Sequence, residues 1–166
     1  MSLRNKTPTP EFSLPDENGA RCDLAQLRAD KLLTIFFFRG AFCPTARRDL
    51  LAYANVYERL RAMNGELVAI SVDDPATLLR LKEQLRLPFR LLSDADFAVS
   101  RRYGVYESDE TDEGPQPHGE PAVFLLDAGG YLAYSQVQTG PKGHANPAEL
   151  ALIVFYMARN GGRYWD

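Results

Sequence analysis

Apolar and polar positions change their period repeatedly along the chain, and each change marks an element. Phe12 to Leu14 reads as a short strand, and the turn from Asp16 to Gly19 feeds a second near Arg21 and Cys22, which makes a hairpin. Asp23 stands where it can cap a short helical segment through Leu27. Leu32 to Phe38 is an apolar run with only Thr34 as a polar member and the composition of a buried central strand, so Phe36, Phe37 and Phe38 are predicted core. From Cys43 to Met63, residues Leu50, Tyr53, Ala54, Tyr57 and Leu60 recur on one helical face, with Gly65 as the stop. Leu67 to Val72 is the next strand, and Asp74 with Pro75 opens a helix to about Leu85. Phe89 to Leu92 and Ala95 to Tyr103 repeat the alternation, and Gly104 ends it.

Strand and helix in alternation predict an α/β fold with right-handed crossovers and a largely parallel central part. Ala122 to Leu126 and Tyr131 to Val137, joined through Asp127 to Gly130, add a second hairpin, so the whole sheet is mixed and flanked by helices. Glu107 to Glu120 has no period and many acids, which predicts a solvated, mobile loop. Asn146 and Pro147 open a last helix ending near Gly161. Its stretch from Leu150 to Met157 is apolar around most of its circumference, which fits either a homodimer interface or a helix wedged between sheet and loop.

Composition narrows the class. At 166 residues with 45% hydrophobic and 25% charged, the chain has the size of one domain spanning residues 1–166. A net charge of -3 argues against a nucleic-acid partner, which would need a basic face. The longest apolar run is far short of the roughly 20 residues that cross a bilayer, and the N-terminus has no signal-peptide core, so a cytoplasmic protein away from membranes is expected. Cys22 and Cys43 are the two cysteines, too few for a disulfide framework, and neither His118 nor His144 has ligand spacing to them. No metal or other cofactor is implied. His118 belongs to the polar loop and is expected to be solvated.

The remaining use for a thiol is reactivity, and Cys43 has the setting for it. It ends the turn after a buried strand and starts a long helix, with Pro44 suited to the first helical position. Free amides of that first turn and the helix dipole favour an anion there, and Arg39 and Arg47 are near enough in sequence to act the same way.

At these residues the chain resembles the thioredoxin superfamily, in its peroxiredoxin-like branch, the alkyl hydroperoxide reductase and thiol-specific antioxidant family. The resemblance rests on Phe12-Ser13-Leu14-Pro15-Asp16-Glu17-Asn18-Gly19, Phe37-Phe38-Arg39-Gly40 before Cys43-Pro44, Ala69-Ile70-Ser71-Val72-Asp73, Leu91-Leu92-Ser93-Asp94, Tyr103-Gly104-Val105 and Pro121-Ala122-Val123-Phe124-Leu125-Leu126-Asp127. It implies a thioredoxin-like fold, Cys43 as the peroxidatic position, and Pro121 as a cis-proline facing the sulfur. The chain departs from the pattern in three ways. The Pro and Thr places of the Pro-x-x-x-Thr-x-x-Cys motif hold Phe36 and Gly40, leaving Thr45 as a weak substitute. Pro121 stands where many members place an arginine, which leaves Arg39 or Arg47 as the donor, while Pro44 and Gly40 would shape the substrate site. Ala46 occupies the second-cysteine place of a Cys-Pro-x-Cys motif, so dithiol exchange within it is excluded.

The resemblance implies a thiol-dependent peroxide reductase that cycles through sulfenic acid, reduced either by Cys22 or, as favoured, by thioredoxin or a small thiol. Two other readings remain: a monothiol thiol-transfer protein, and a thioredoxin-fold interaction module without peroxidase activity.

Overall fold

The structure is a computed structural model that describes residues 2–164. Strands β1 (Ser13–Pro15) and β2 (Arg21–Asp23) form the antiparallel hairpin at the N-terminal end. They are followed by α1 (Leu24–Arg28), β3 (Leu32–Phe37), α2 (Pro44–Ala62), β4 (Gly65–Ser71), α3 (Pro75–Leu85), β5 (Arg90–Ser93) and α4 (Ala98–Tyr103). The remainder is β6 (Glu107–Ser108), β7 (His118–Gly119), β8 (Ala122–Leu126), β9 (Leu132–Val137) and α5 (Pro147–Arg159).

The central sheet has five strands in the order β5-β4-β3-β8-β9. Helical crossovers make β3, β4 and β5 parallel, whereas β8 runs antiparallel to β3 and pairs with β9 through a short turn. Every residue of β3 is buried, and the two-residue period sends its side chains to opposite faces. Leu32 and Phe36 pack with Leu50, Tyr53 and Leu60 of α2 and with Leu150 and Val154 of α5. Leu33, Ile35 and Phe37 pack with Phe12, Leu24 and Tyr103 on the other side. Each such side chain contributes about 1.5–3 kcal/mol on burial, so this one strand anchors both halves of the core. Its C-terminal end, where the chain leaves for α2, is thereby a rigid platform.

Four expectations need correction. Gly65 does not stop α2 but opens β4: a Cβ there would stand 2.6 Å from the Leu60 carbonyl oxygen, so the close approach of the helix end excludes a side chain. Asp23 occupies the position before α1 without a capping hydrogen bond, whereas Asp74 and Asn146 accept from the amides of Thr77 and Ala148. The stretch from Glu107 to Glu120 is not simply a solvated loop. Its ends pair as β6 and β7, with Ser108 opposite His118, and the Glu120 amide donates to the Tyr106 carbonyl at 2.7 Å. Two-residue strands are too short to leave a period in the sequence, so this pinning was invisible there. Finally, α5 is not wedged on all sides: Leu150, Ala151, Val154 and Met157 are buried, but Leu152, Phe155 and Tyr156 are 51%, 41% and 61% exposed.

Candidate active site

The site is built on the turn between β3 and α2. Phe38 still donates to the Ile70 carbonyl, so pairing with β4 continues one residue past the end of β3. Gly40 then adopts a φ of +137°, open to glycine, and its carbonyl accepts from the Cys43 amide at 3.2 Å. Asp73, just beyond β4, holds the turn from below: its Oδ2 accepts from the Ala41 amide at 2.9 Å and from the Ser71 hydroxyl at 2.8 Å. Arg47 closes the other side, donating from Nε to the Ala41 carbonyl at 2.8 Å. Cys43 is therefore fixed as the N-cap of α2, with Pro44 in the first helical position. The first intrahelical bond runs from the Arg47 amide to the Cys43 carbonyl, which leaves the preceding amides of Thr45 and Ala46 without intrahelical acceptors.

Cys43 is only 3% exposed, but it borders a cavity of about 930 Å³ between the start of α2 and residues 109–115. Access to the thiol is through this cavity. Arg39 Nη1 lies 3.3 Å from the Cys43 sulfur and donates to it. The guanidinium also packs 5.5 Å from the centre of the Phe42 ring. Its Nε stands 3.1 Å from Glu120 Oε2, an ion pair in which the N–H is not aligned as a hydrogen bond. Its Nη2 lies 3.0 Å from His118 Nε2 and 3.3 Å from the Glu110 carbonyl.

The expected residues thus divide. Arg39, Pro44 and Thr45 line the cavity with Cys43, and Gly40 shapes the turn beneath it. Arg47 does not reach the thiol; its second contact is from Nη1 to Gln84 Oε1 at 3.0 Å, so its charge clamps the turn to α3. Pro121 is a further correction. The described residues contain no cis peptide bond, and Pro121 is outside the cavity lining, its carbonyl accepting from the Gln138 amide. That carbonyl extends the pairing beside β8.

Cys22 is buried in the core on the sheet face opposite to the cluster that holds Cys43. Its sulfur meets Arg90 Nη1 at 3.4 Å, and burial pushes its thiol up despite that charge. Sequence reading missed Asp73 and Glu120. Asp73 was visible only as part of a family segment, and His118 was misplaced in solvent although it is fully buried. Among the described residues no group of three or more His, Cys, Asp or Glu is arranged to hold a metal ion, and no helix is long and apolar enough to cross a membrane.

Residues 6–135 match the AhpC/TSA family, a span that includes the whole thiol turn, strands β3, β4, β5 and β8 of the central sheet and the start of β9. The chain belongs to the AhpC/TSA family. Among curated members, peroxiredoxin Bcp of Escherichia coli is 29% identical over 126 residues, covering 75% of this chain and 80% of the relative. Chloroplastic peroxiredoxin Q of Gentiana triflora is 29% identical over 96 residues, covering 58% of this chain and 44% of the relative, so the chain matches less than half of that protein's length. Among solved structures, peroxidoxin BcpB from Mycobacterium tuberculosis superposes with a TM-score of 0.78 at 21% identity, over 93% of this chain and 97% of that one. At that identity the likeness shows the fold alone. It agrees with the thioredoxin-like architecture expected of an AhpC/TSA member.

Proposed function

We propose that this chain is a thiol-dependent peroxide reductase in which Cys43 is the peroxidatic residue. AhpC/TSA membership and the peroxiredoxin relatives support the enzyme class. The single observation that carries the residue assignment is the Arg39 N–H directed at the Cys43 sulfur, 3.3 Å away, at the wall of an open cavity.

The thiolate attacks the terminal oxygen of a hydroperoxide. The S–O bond forms as the O–O bond breaks, giving a sulfenic acid on Cys43, and the released hydroxide or alkoxide takes up a proton to become water or alcohol. Arg39 and the free amides of Thr45 and Ala46 stabilise the charge that moves from sulfur to the departing oxygen. In this reading the hydroxyl of Thr45, a residue of the cavity wall, bonds the peroxide in place of the motif threonine. Because Cys22 is buried beyond the sheet, the sulfenic acid is reduced by an external thiol, thioredoxin or a small one: the first thiol displaces water to form a mixed disulfide, and a second releases Cys43. The reading includes a single domain over residues 1–166 acting in the cytoplasm, and a homodimer formed through the exposed apolar face of α5.

The test treats reduced protein with hydrogen peroxide or cumene hydroperoxide and traps sulfenic acid with dimedone for mass analysis. Adduct formation at Cys43, lost in Cys43→Ser and unchanged in rate and lifetime in Cys22→Ser, is the expected result. No peroxide-dependent adduct at Cys43 rejects the function. Formation of a glutathione mixed disulfide without peroxide consumption returns the thiol-transfer reading. A longer-lived sulfenate in Cys22→Ser makes Cys22 the resolving thiol.

A further inference from the structure

Arg39 is a flexible side chain beside a strongly acidic rim: Asp109, Glu110, Asp112 and Glu113 all border the cavity that holds Cys43. A guanidinium in that position has several exposed carboxylates within its neighbourhood, yet here its Nη1 is on the sulfur. Two buried residues, His118 and Glu120, contact the guanidinium in that orientation. Pairing of β6 with β7 sets residues 118 and 120 two apart in an extended segment, so both side chains project to the same side, and there they meet Arg39. His118 is fully buried and Glu120 is 2% exposed, which removes the rotamer freedom that a surface pair would have to give up.

Proton inventory defines the arrangement. His118 Nδ1 lies 2.6 Å from the Gln116 carbonyl, and a carbonyl only accepts, so Nδ1 carries a hydrogen. Nε2 faces Arg39 Nη2 at 3.0 Å, and an arginine nitrogen only donates, so Nε2 is the acceptor. Nε2 also lies 3.2 Å from Glu120 Oε1, but the shorter contact to Arg39 gives Nε2 the accepting role toward the guanidinium while Nδ1 donates. Glu120 pairs through Oε2 with Arg39 Nε at 3.1 Å. The ring of Phe42, 5.3 Å from that of His118 at 61°, closes the remaining side. The planar guanidinium is thus held at Nε and Nη2, and its plane directs Nη1 at the thiol.

We propose that His118 and Glu120 are positioning residues that hold Arg39 on the Cys43 sulfur, His118 by accepting a hydrogen bond at Nε2 and Glu120 by pairing with Nε. The proposal rests on the peroxide-reductase reading for its rate consequence, but the positioning itself does not depend on which electrophile the thiol meets.

The experiment compares wild type with Glu120→Gln, His118→Phe and His118→Gln. Two readouts are used: the second-order rate of peroxide-dependent sulfenate formation, and the pH profile of Cys43 alkylation by iodoacetamide in a Cys22→Ser background. Glu120→Gln and His118→Phe are expected to slow sulfenate formation by about tenfold or more and to move the alkylation midpoint to higher pH, as befits a displaced charged donor. His118→Gln keeps an acceptor at the end of the side chain and is expected to restore most of both. Thermal melts identify any variant that loses its fold; should His118→Phe do so, Glu120→Gln, which preserves shape, together with His118→Gln decides the matter. A wild-type rate and an unmoved alkylation profile in Glu120→Gln, or a His118→Gln variant as impaired as His118→Phe, overturns the proposal. A wild type that alkylates at Cys43 but never reacts with peroxide rejects the function instead, and the alkylation profiles still judge the positioning.

Discussion

Replacing Gly40 by threonine would write the missing residue of the peroxiredoxin motif back into this chain, and the structure predicts that the change harms the protein. Gly40 has a φ of +137°, where an L side chain is strained whatever the space around it. Confinement to such a region costs a non-glycine residue about 1–3 kcal/mol, with β-branched side chains at the upper end. A Cβ would also stand 3.1 Å from two carbons of the Phe42 ring and 3.2 Å from Asp73 Oδ2. Neither neighbour can retreat freely. Asp73 holds the Ala41 amide and the Ser71 hydroxyl, and Phe42 packs against both Arg39 and His118. Overpacking of this kind adds about 1–3 kcal/mol. A total loss of about 4–6 kcal/mol is expected for Gly40→Thr, or roughly 8–24 °C in Tm at this chain length. Gly40→Ala carries the backbone strain with less crowding and is expected to fall between wild type and threonine. Urea unfolding gives the stability, and stopped-flow peroxide consumption gives the rate, which should fall because a displaced Phe42 loosens Arg39. A Gly40→Thr protein as stable as wild type and faster with peroxide would refute the reasoning, since the turn would then accommodate the motif residue.

Further expectations follow from single contacts. Arg39→Met removes the charged donor at the sulfur and is expected to slow sulfenate formation by about 10²-fold, the scale for one lost charge-stabilising donor; a loss under about threefold in stopped-flow measurements would exclude Arg39 from the reaction. The buried Tyr53 hydroxyl has no hydrogen-bond partner among the described residues, while its ring packs 4.6 Å from that of Phe36. Tyr53→Phe keeps the ring and removes the orphan, so urea titration should show a stability equal to wild type or about 1 kcal/mol higher, and a clear loss would reveal a partner. Burial raises the Tyr103 phenol to about 12, against an unfolded value of about 10. The native state thus keeps a proton that the unfolded chain gives up. This contribution to stability is complete below about pH 10 and is lost as pH rises toward 12, and Tyr103→Phe should flatten the alkaline fall measured by denaturation at successive pH values.

Elements whose residues are close in sequence were legible without coordinates. The apolar run of β3, the helical repeat from Leu50 to Leu60, the Asp74-Pro75 start of α3 and the Cys43-Pro44 start of α2 are local patterns, and local backbone preference and burial period decide them. The same locality made Cys43 the leading candidate, since a thiol at a helix start is defined by its immediate neighbours. What surrounds that thiol is another matter. Arg39 and Arg47 are equivalent candidates on paper, and only packing sends one to the sulfur and the other to Gln84. Asp73 reaches the turn because β4 lies beside β3, and His118 and Glu120 reach Arg39 because two very short strands pin the acidic excursion. Cys22 looks like a partner for Cys43 until the sheet is seen to separate them. Contacts between distant residues are set by how the sheet is ordered and which face each strand turns inward, and no short-range pattern encodes that choice.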